Sequence, residues 1–513
     1  MHHPSLHLFV DDYHVRTLFG MRREFGTLEK LSDPVLEDIP GRLAAWACVL
    51  REPRGHYRMW YQSVHAAGYF DLAKAGVWGR GKEIGYYPER HPDAVPKTKT
   101  SVISYANSDD GILWRKPNLS RVEWRGSTQN NIVLDGSGVA RQFDNALTGM
   151  DTVTVVRDDD DPDPARRYKM VCHWEGPVWD NHPTLSNLGR PEVLMQRCWA
   201  ARAKYLTTSP DGILWDAPLV RIKECAGGGD YAALARDERN RRYWFTDRAP
   251  VGLPGLGYRS AAVCTSSDLY HWPDGVEMVF TPEAFEEYGL RYEHHGWTPF
   301  NYGDMDLCLL EYSRCGWPVA GVLGLHRDGH PWRRANGDTF LLACGSEGAF
   351  DDSEVAMTHN PPLREGDRLL FYYTGAHIMD GAWSPERDQT ARHTSHIGVA
   401  TLRLDGFAAL HADDAFLRRT GKPAMLITRT LEVREDELQL NIAGHAGTAR
   451  VALYDEAMEP FPGFETEQCQ PIAEDAVRAP VRWRERSTLS QLKGRRVHLF
   501  LQIGSGRLYA VHI

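Results

Sequence analysis

Four acidic residues occupy positions from which their side chains could act together on one bond. Asp151, Asp230 and Glu354 each stand at the start of a predicted β-strand, and Asp12 lies in the first predicted strand of the chain. Cleavage of a glycosidic bond needs one carboxyl group that protonates the leaving oxygen and a second that attacks the anomeric carbon or activates water. We expect Asp151, Asp230 and Glu354 to form this set, with Asp12 as a further candidate, and their individual roles stay open.

A structural role for each of these acids is the competing interpretation. Asp is common in turns because its carboxylate accepts hydrogen bonds from nearby backbone N–H groups. Further acids stand near the same strand starts and share both interpretations: Asp11, Asp33, Glu37, Asp38, Glu293, Asp304, Asp351 and Asp352.

Aromatic and polar side chains near the predicted strand starts could bind a sugar. Flat rings stack on sugar faces, although a tryptophan can equally pack between sheets. Five tryptophans are candidates for stacking: Trp46, Trp174, Trp179, Trp297 and Trp383. His377 and Arg392 follow the last predicted inner hairpin, where they could reach a substrate hydroxyl or carboxylate.

Composition and charge exclude several classes of protein. The chain has 513 residues, 42% of them hydrophobic, and a formal net charge of −10 without a basic patch, which disfavours nucleic acid as a partner. No apolar window approaches the length of a membrane span and no apolar leader precedes the first strand, so we expect a cytoplasmic protein without a membrane partner. The sequence leaves a homo-oligomer open.

Cofactor and metal signatures are missing from the sequence. The nine cysteines are scattered, odd in number and without a C-x-x-C pair, so reduced thiols are expected. Gly79-Arg80-Gly81 lacks the spacing of a dinucleotide-binding loop, and the histidine pairs 294/295 and 393/396 lack a companion carboxylate signature. We predict no cofactor and no metal site; a structural divalent cation stays open, without support from the sequence.

A recurring turn motif predicts the fold. A small polar or basic residue, Asp, often Gly, and then an aromatic residue recur around Asp110, Asp211, Asp268, Asp328 and Asp405. Because the same Asp returns in each copy, we expect these five acids to form turns. Ahead of each copy lie a strand-like run, a turn and a second run, so each unit is one antiparallel sheet.

Five such units predict a five-bladed β-propeller over residues 1–420, an arrangement that hides sheet edges without closing a single barrel. We expect the N-terminal strand, residues 6–15, to close the last blade. Residues 421–513 contain short strands without the Asp-Gly motif and predict a C-terminal β-sandwich. The sequence thus indicates an all-β protein of two domains.

The chain resembles five-bladed glycosidase-like proteins of the invertase, arabinanase and α-neoagarooligosaccharide hydrolase type, and more closely a broad bacterial group of glycosyl hydrolase-like proteins. The matching stretches are Leu8-Phe-Val-Asp-Asp-Tyr13, residues 108–119 and 130–134, Arg167-Tyr-Lys-Met170, residues 397–407 and residues 463–483. The resemblance implies a propeller followed by a sandwich, with a carbohydrate ligand. The Asn-Asp-Pro-Asn-Gly and Arg-Asp-Pro motifs of invertases are absent, so the catalytic residues of those enzymes are not transferred.

These observations favour an exo-acting glycoside hydrolase that takes a short oligosaccharide or glycoside into the axial funnel of the propeller. Two alternatives stay open. An oligosaccharide phosphorylase would need a basic cluster in the funnel, for which Arg392 would be one contributor. A non-catalytic carbohydrate-binding propeller would keep the rings and lack two carboxylates facing one cavity.

Overall fold

The computed structural model describes residues 3–38, 42–65, 101–124, 126–143, 149–174, 200–222, 231–251, 258–272, 277–280, 292–314, 319–335, 339–377, 394–444, 448–472, 474–486 and 488–513. The strands, in chain order, are β1 (Leu6–Leu8), β2 (Val15–Phe19), β3 (Met21–Phe25), β4 (Glu29–Lys30), β5 (Arg42–Arg51), β6 (Tyr57–His65), β7 (Ser101–Ser108), β8 (Ile132–Leu134), β9 (Met150–Arg157), β10 (Tyr168–Trp174), β11 (Ala203–Ser209), β12 (Val220–Arg221), β13 (Ala232–Asp237), β14 (Arg242–Val251), β15 (Tyr258–Ser266), β16 (Glu277–Phe280), β17 (Tyr292–Tyr302), β18 (Met305–Arg314), β19 (Val319–His326), β20 (Arg333–Arg334), β21 (Glu354–Met357), β22 (Leu363–Glu365), β23 (Arg368–His377), β24 (Thr394–Arg403), β25 (Ala408–Ala412), β26 (Ala424–Thr428), β27 (Leu431–Glu432), β28 (Gln439–Ala443), β29 (Arg450–Tyr454), β30 (Ala476–Pro480), β31 (Arg496–Ile503) and β32 (Arg507–His512). The α-helices of these residues, α1 (Ser137–Gln142) and α2 (Asp414–Thr420), are short, and the prediction of an all-β chain is confirmed.

Strands β5 to β24 form five antiparallel groups in the described part of the chain. Groups one to three are separate sheets, β5–β8, β9–β12 and β13–β16, whereas groups four (β17–β20) and five (β21–β24) share one larger sheet. A single parallel pair, Val319 with Glu354, joins these last two groups. The first strands of successive groups contact one another, and β23 and β24 contact β5. We call the five groups the ring and strands β5, β9, β13, β17 and β21 the inner strands.

Strands of the ring are buried on both faces because each group is packed between two others. Strand β23, with the sequence RLLFYYTGAH, is buried from its second to its ninth residue, and β10 is buried throughout. Continuous apolar and aromatic runs are the expected composition of such strands, since both faces of the sheet meet protein.

All five copies of the recurring Asp lie in turns or bends, as predicted, and in three of them the carboxylate also accepts backbone N–H groups. The carboxylate of Asp110 accepts the backbone N–H groups of Ile112 and Leu113, both at 2.8 Å. The hydroxyl of Ser108 accepts the N–H of Gly111 at 2.9 Å. Equivalent bonds recur around Asp211 and Asp268. These contacts are local, so the sequence spacing alone is sufficient to set them.

The other two copies differ from this pattern. Asp328 is exposed, and its nearest charged group is Arg239 at 3.8 Å. Asp405 is fully buried, and its carboxylate accepts hydrogen bonds from Tyr302 at 2.7 Å and from Asn441 at 3.1 Å. Asp405 therefore connects the ring to the C-terminal sheets. This role is structural, but it differs from that of Asp110, Asp211 and Asp268, whose carboxylates accept backbone N–H groups of their own turns.

Two further sheets contain the C-terminal strands. One has the order β2-β26-β31-β27 with β29 also on β31, and the other has the order β3-β25-β32-β28-β30 with β1 also on β32. Strands β26 and β30 alternate between buried and half-buried residues, which is typical of strands with one face on a core. Ala424 and Leu426 of β26 and Ala479 of β30 belong, with Phe9, to one hydrophobic cluster.

The N-terminal strands pair differently from the sequence prediction. Residues 6–15 were expected to close the last blade, but β1 pairs with β32, and Val15 lies opposite Thr428 of β26. Strand β4 takes the expected position instead, because Thr401 and Ala400 of β24 pair with Glu29 and Lys30. A period-two pattern predicts that a strand exists but does not specify its partner, which accounts for the error.

Among the cysteines, Cys264 is disulfide-bonded, so the expectation of reduced thiols is wrong at this position. Five others form no disulfide: Cys48, Cys172, Cys308, Cys344 and Cys469. A disulfide depends on the distance between two cysteines in the fold, which sequence spacing does not give. Among the described residues, no helix has the length and apolar character that crossing a bilayer requires.

Candidate active site

The inner strands converge on a buried layer at the centre of the ring. The hydroxyl of Thr154 lies 3.1 Å from the carbonyl oxygens of both Leu234 and His359. The backbone N–H of His359 donates to the carbonyl of Ala47 at 2.9 Å, and the Thr298 hydroxyl lies 3.5 Å from the Thr358 carbonyl. Each inner strand or the residues just after it thus contribute to this layer, which we call the floor.

His359 is the titratable group of the floor. Its Nδ1 lies 3.0 Å from the carbonyl oxygen of Val153, and its ring packs against the ring of Tyr231 with the centroids 4.8 Å apart. Complete burial lowers the pKa of His359 to about 4, because the charged form would lose its hydration. The imidazole is therefore neutral at physiological pH.

The inner-strand residues that precede the floor form what we call the mouth of the ring. Three inner strands carry an extra residue there: the pairing registers shift at Trp46, Thr152 and His295. Trp46 and Thr152 have φ values of 38° and 44°. Positive φ is unfavourable for large or β-branched residues and costs about 1–3 kcal/mol at each such position. Bulges of this kind re-aim side chains and are common next to active sites.

Asp151 lies in the mouth beside the second of these bulges. Its side chain is half-buried, and its Oδ1 accepts the backbone N–H of Thr152 at 3.0 Å. Asp151 pairs with His173 across the ladder, and His173 pairs with Lys204. Directly opposed residues share one face of a sheet, so these three side chains form a row.

A buried ion pair continues this row from the second group to the third. Lys204 Nζ lies 2.8 Å from Asp247 Oδ2, and both side chains are almost completely buried. Removing two charges from water costs several kcal/mol per ion, so such a pair contributes little net stability. Its location next to Asp151 favours a role in arranging the mouth.

Tyr231 and Glu311 extend the mouth to the fourth group. Gly296 has no side chain, and a Cβ there would lie 2.1 Å from Tyr231 Cε2, so the glycine lets the tyrosine ring approach. Gly296 pairs with Glu311, which is buried. Burial and the charge of Glu311 raise the pKa of Tyr231, so the phenol stays protonated.

Glu354 and His377 lie together at the mouth end of the fifth group. Glu354 begins β21 and pairs with Ala376, the neighbour of His377. His377 Nδ1 contacts Asp352 Oδ1 at 2.7 Å. Glu354 pairs in parallel with Val319, so the backbone of Glu354 lies beside β19. Inner strand β17 is two strand spacings, or about 10 Å, away.

Several predicted site residues are not in the mouth. Asp12 is wrong as a catalytic candidate, because it is 77% exposed and paired with Arg23 among the N-terminal strands. Trp174 and Trp297 are wrong as stacking rings, because both are buried in hydrophobic clusters between groups. Of the described tryptophan candidates, Trp46 is half-buried in the mouth. The remaining candidates lie outside the described residues: Asp230, Trp179, Trp383 and Arg392.

Sequence reasoning missed Lys204, Asp247 and Glu311. Lys204 and Glu311 are charged residues inside strands with apolar or aromatic neighbours, as in Leu307-Cys-Leu-Leu-Glu311, whereas Asp247 stands between Thr246 and Arg248. A charge in an apolar strand is costly unless it is paired or functional, so this signal could have identified Lys204 and Glu311 but not Asp247. Asp38, one of the further acids near the predicted strand starts, is also hydrogen-bonded: its Oδ1 lies 3.2 Å from the hydroxyl of Tyr61, and its other oxygen contacts Ser63.

Comparison with known proteins finds similarity in solved structures. No family model matches the chain, and no curated protein does. A β-1,2-mannobiose phosphorylase from Listeria innocua is 13% identical, with a TM-score of 0.42 over 74% of this chain and 98% of that one. A thermostable family-43 glycoside hydrolase is 9% identical, with a TM-score of 0.42 over 72% and 93% of the two chains.

A third structure covers more of the chain. An exo-β-1,3-galactanase from Phanerochaete chrysosporium is 9% identical and has a TM-score of 0.35, with 96% of this chain and 99% of that one covered. Several other solved structures found by this comparison carry the name glycoside hydrolase.

Proposed function

We propose that this protein is a glycoside hydrolase that binds the end of a short oligosaccharide or glycoside in the mouth of the ring. The ring is then a five-bladed β-propeller, and the two remaining sheets form a β-sandwich from about residue 421 that also includes the N-terminal strands. The observation that carries the proposal is the gathering of Asp151, Asp247 and Glu311 from three separate groups at one strained, polar end of the ring.

The closed floor supports an exo-acting mode. The hydroxyls of Thr154 and Thr298, the ring of Tyr231 and the imidazole of His359 fill the centre of the ring. A filled floor prevents a sugar chain from passing along the axis of the ring, which fits a mouth that takes up one end of the chain.

The residues of the mouth can be assigned to the steps of hydrolysis. Asp151 is the proposed base or nucleophile, because it is half-buried and one of its oxygens is fixed by the Thr152 N–H. Glu311 is the proposed proton donor, since acids of this type commonly sit in buried, water-poor positions. Glu354 and Asp230 stay in the proposal as the further carboxylates, and Trp46 as the ring that a sugar stacks on.

Phosphorolysis, the main rival reaction, needs cationic groups available to phosphate. Lys204 is the buried lysine of the described mouth, and its ammonium group is neutralised by Asp247 at 2.8 Å. This pairing favours water over phosphate as the acceptor.

The experiment is a screen of aryl glycosides and short oligosaccharides, with and without phosphate, against the wild type, Asp151→Asn, Glu311→Gln and Glu354→Gln. We expect turnover without phosphate that Asp151→Asn and Glu311→Gln abolish. Asp211→Asn, in a turn outside the mouth, is the matched control and should keep full activity. Turnover only with phosphate would establish the phosphorylase, and binding without turnover would establish a binding protein. Unchanged turnover in all mouth variants would refute the site.

A further inference from the structure

A second group of polar side chains lies at the opposite end of the ring, where the N-terminal strands meet it. His7 is in β1, His14 directly precedes β2, and Asp304 lies in the turn between β17 and β18. Each side chain offers one potential ligand atom, and these three atoms lie within 4.8 Å of one another. Residues separated by almost 300 positions in the sequence thus converge on one point.

One carboxylate oxygen is the centre of this trio. Asp304 Oδ2 lies 3.0 Å from His7 Nδ1 and 2.6 Å from His14 Nε2. Both histidines are buried, with 7% and 5% of their surface exposed. Nε2 of His7, its second ring nitrogen, is also buried and has no hydrogen-bond partner, so this imidazole is only partly satisfied by protein.

The other oxygen of Asp304 is fixed by an arginine. Arg327 NH1 lies 3.2 Å from Asp304 Oδ1, which orients the carboxylate and leaves Oδ2 to the histidines. Asp11 accepts two bonds from the same guanidinium, from Nε and NH2, both at 3.2 Å. Asp11 thereby offsets the charge of Arg327, and a ligand fixed by a second residue in this way is typical of metal sites.

The trio lines a cavity of about 550 Å³ between the ring and the C-terminal sheets. The cavity wall also includes Tyr13, Arg429 and Thr430. A cavity of this size gives an ion a route to the three side chains and leaves room for water on its open positions.

We propose that His7, His14 and Asp304 bind one divalent transition-metal ion that ties the N-terminal strands to the ring. Two imidazole nitrogens and one carboxylate oxygen are a ligand set typical of Zn²⁺ and related ions, whereas Ca²⁺ and Mg²⁺ prefer oxygen alone. The remaining positions are filled by water or by a ligand from the cavity. This site is independent of the mouth and of the reaction proposed there.

No metal-binding motif in the sequence predicts this trio. Zinc signatures depend on ligands spaced a few residues apart on one element, and here the strand pairing of β1 and β2 with the C-terminal sheets creates the proximity.

The test is metal binding by the full chain without an affinity tag, stripped with EDTA. Titration with Zn²⁺ should show one ion bound with a Kd below about 1 μM, and Co²⁺ should give the visible absorption of a bound ion. Asp304→Asn keeps the size of the side chain, and His14→Ala removes one ligand. We expect each to weaken Zn²⁺ binding by at least about tenfold and to abolish the Co²⁺ absorption.

The matched control is His512→Ala. His512 belongs to a more exposed trio with His3 and Glu435, so this variant should bind Zn²⁺ as the wild type does. Circular dichroism establishes that each variant is folded. Absence of Zn²⁺ binding by the wild type would overturn the proposal and leave a hydrogen-bonded trio. Binding that survives in folded Asp304→Asn and His14→Ala, or that disappears in His512→Ala, would overturn it equally.

Discussion

The turns of the ring share one pattern of hydrogen bonds, whereas the mouth is built from different side chains in each group. The turns around Asp110, Asp211 and Asp268 repeat the same hydrogen bonds from one group to the next. The mouth repeats a bulge in three inner strands but not its side chains: the second group contributes Asp151, the third Tyr231 and the fourth a glycine in front of Glu311. Side chains that every group needs for folding recur, and those that a single site needs occur once.

The turns and the mouth also differ in their contributions to the stability of the fold. The turn carboxylates lie near the surface and accept backbone N–H groups, which lowers the pKa of Asp110 through the bonds from Leu113 and Ile112. The mouth combines two residues at positive φ, Trp46 and Thr152, with a fully buried ion pair, and both features are unfavourable for stability. Positive φ also occurs elsewhere, as at Leu269 in one of the turns, so the combination with buried charges is what distinguishes the mouth and indicates a functional site.

The strongest way to test this contrast is to remove one charge from the mouth. Asp151→Asn keeps an acceptor for the Thr152 N–H, so the bulge should be preserved while the carboxylate is lost. We expect kcat/KM on the best substrate of the screen to fall by about 10²- to 10⁴-fold, with little change in Tm. A large loss of stability with the same loss of activity would show that Asp151 has a structural role like that of the turn acids.

The stability of the protein is expected to depend on pH through His359, which lies in the floor beneath the mouth. The pKa of His359 is about 4 in the folded protein and near 6.5 when unfolded, so the unfolded state binds the proton first as the pH falls. Stability is therefore full above pH 6.5 and decreases by about 3 kcal/mol by pH 4. His359→Asn retains a donor for the Val153 carbonyl and should flatten this part of the stability profile. Urea unfolding at several pH values measures the slope, and an equal slope in both proteins would contradict the prediction.

Asp211 and Asp328 occupy equivalent positions in two copies of the turn motif, so removing each in turn tests whether the copies differ. Asp211→Ala removes the acceptor for two backbone N–H groups and should lower the free energy of unfolding by about 0.5–2 kcal/mol. Asp328→Ala removes an exposed carboxylate and should change it by no more than about 0.5 kcal/mol. Neither should alter kcat/KM. Equal effects in denaturant unfolding would mean that the copies are not structurally distinct.

A further small effect, one that depends on pH, is expected at Asp268. Burial alone would raise the pKa of this carboxyl, but bonds from the His271 ring and from the backbone of His271 and Tyr270 lower it to about 2. Its contribution to stability is present above the unfolded pKa near 4 and is lost as the pH falls towards 2. Because the side chain is 44% exposed, we expect less than about 1 kcal/mol. Asp268→Asn should remove this acid sensitivity, and the difference between the two unfolding curves at pH 2 and pH 5 measures it.

The sequence predicts the features that depend on neighbouring residues. The Asp turns follow from spacing alone, and the strands follow from alternation and from apolar runs. The row of Asp151, His173 and Lys204 depends on register across three strands, which no local pattern contains. Trp46 and Trp297 both lie in inner strands, yet one lies on a bulge and the other packs in a cluster. Burial is decided by the partners that the fold supplies, so these residues could not be separated in advance.

The pairing of β1, β2 and β3 with C-terminal strands has a consequence for biosynthesis. Strands β1, β2 and β3 have no partners until β32, β26 and β25 have been synthesised, so the two-sheet unit is completed late. A product truncated before β31 would expose unpaired strand edges, which invites aggregation. Completion of these two sheets therefore depends on strands that lie far apart in the sequence.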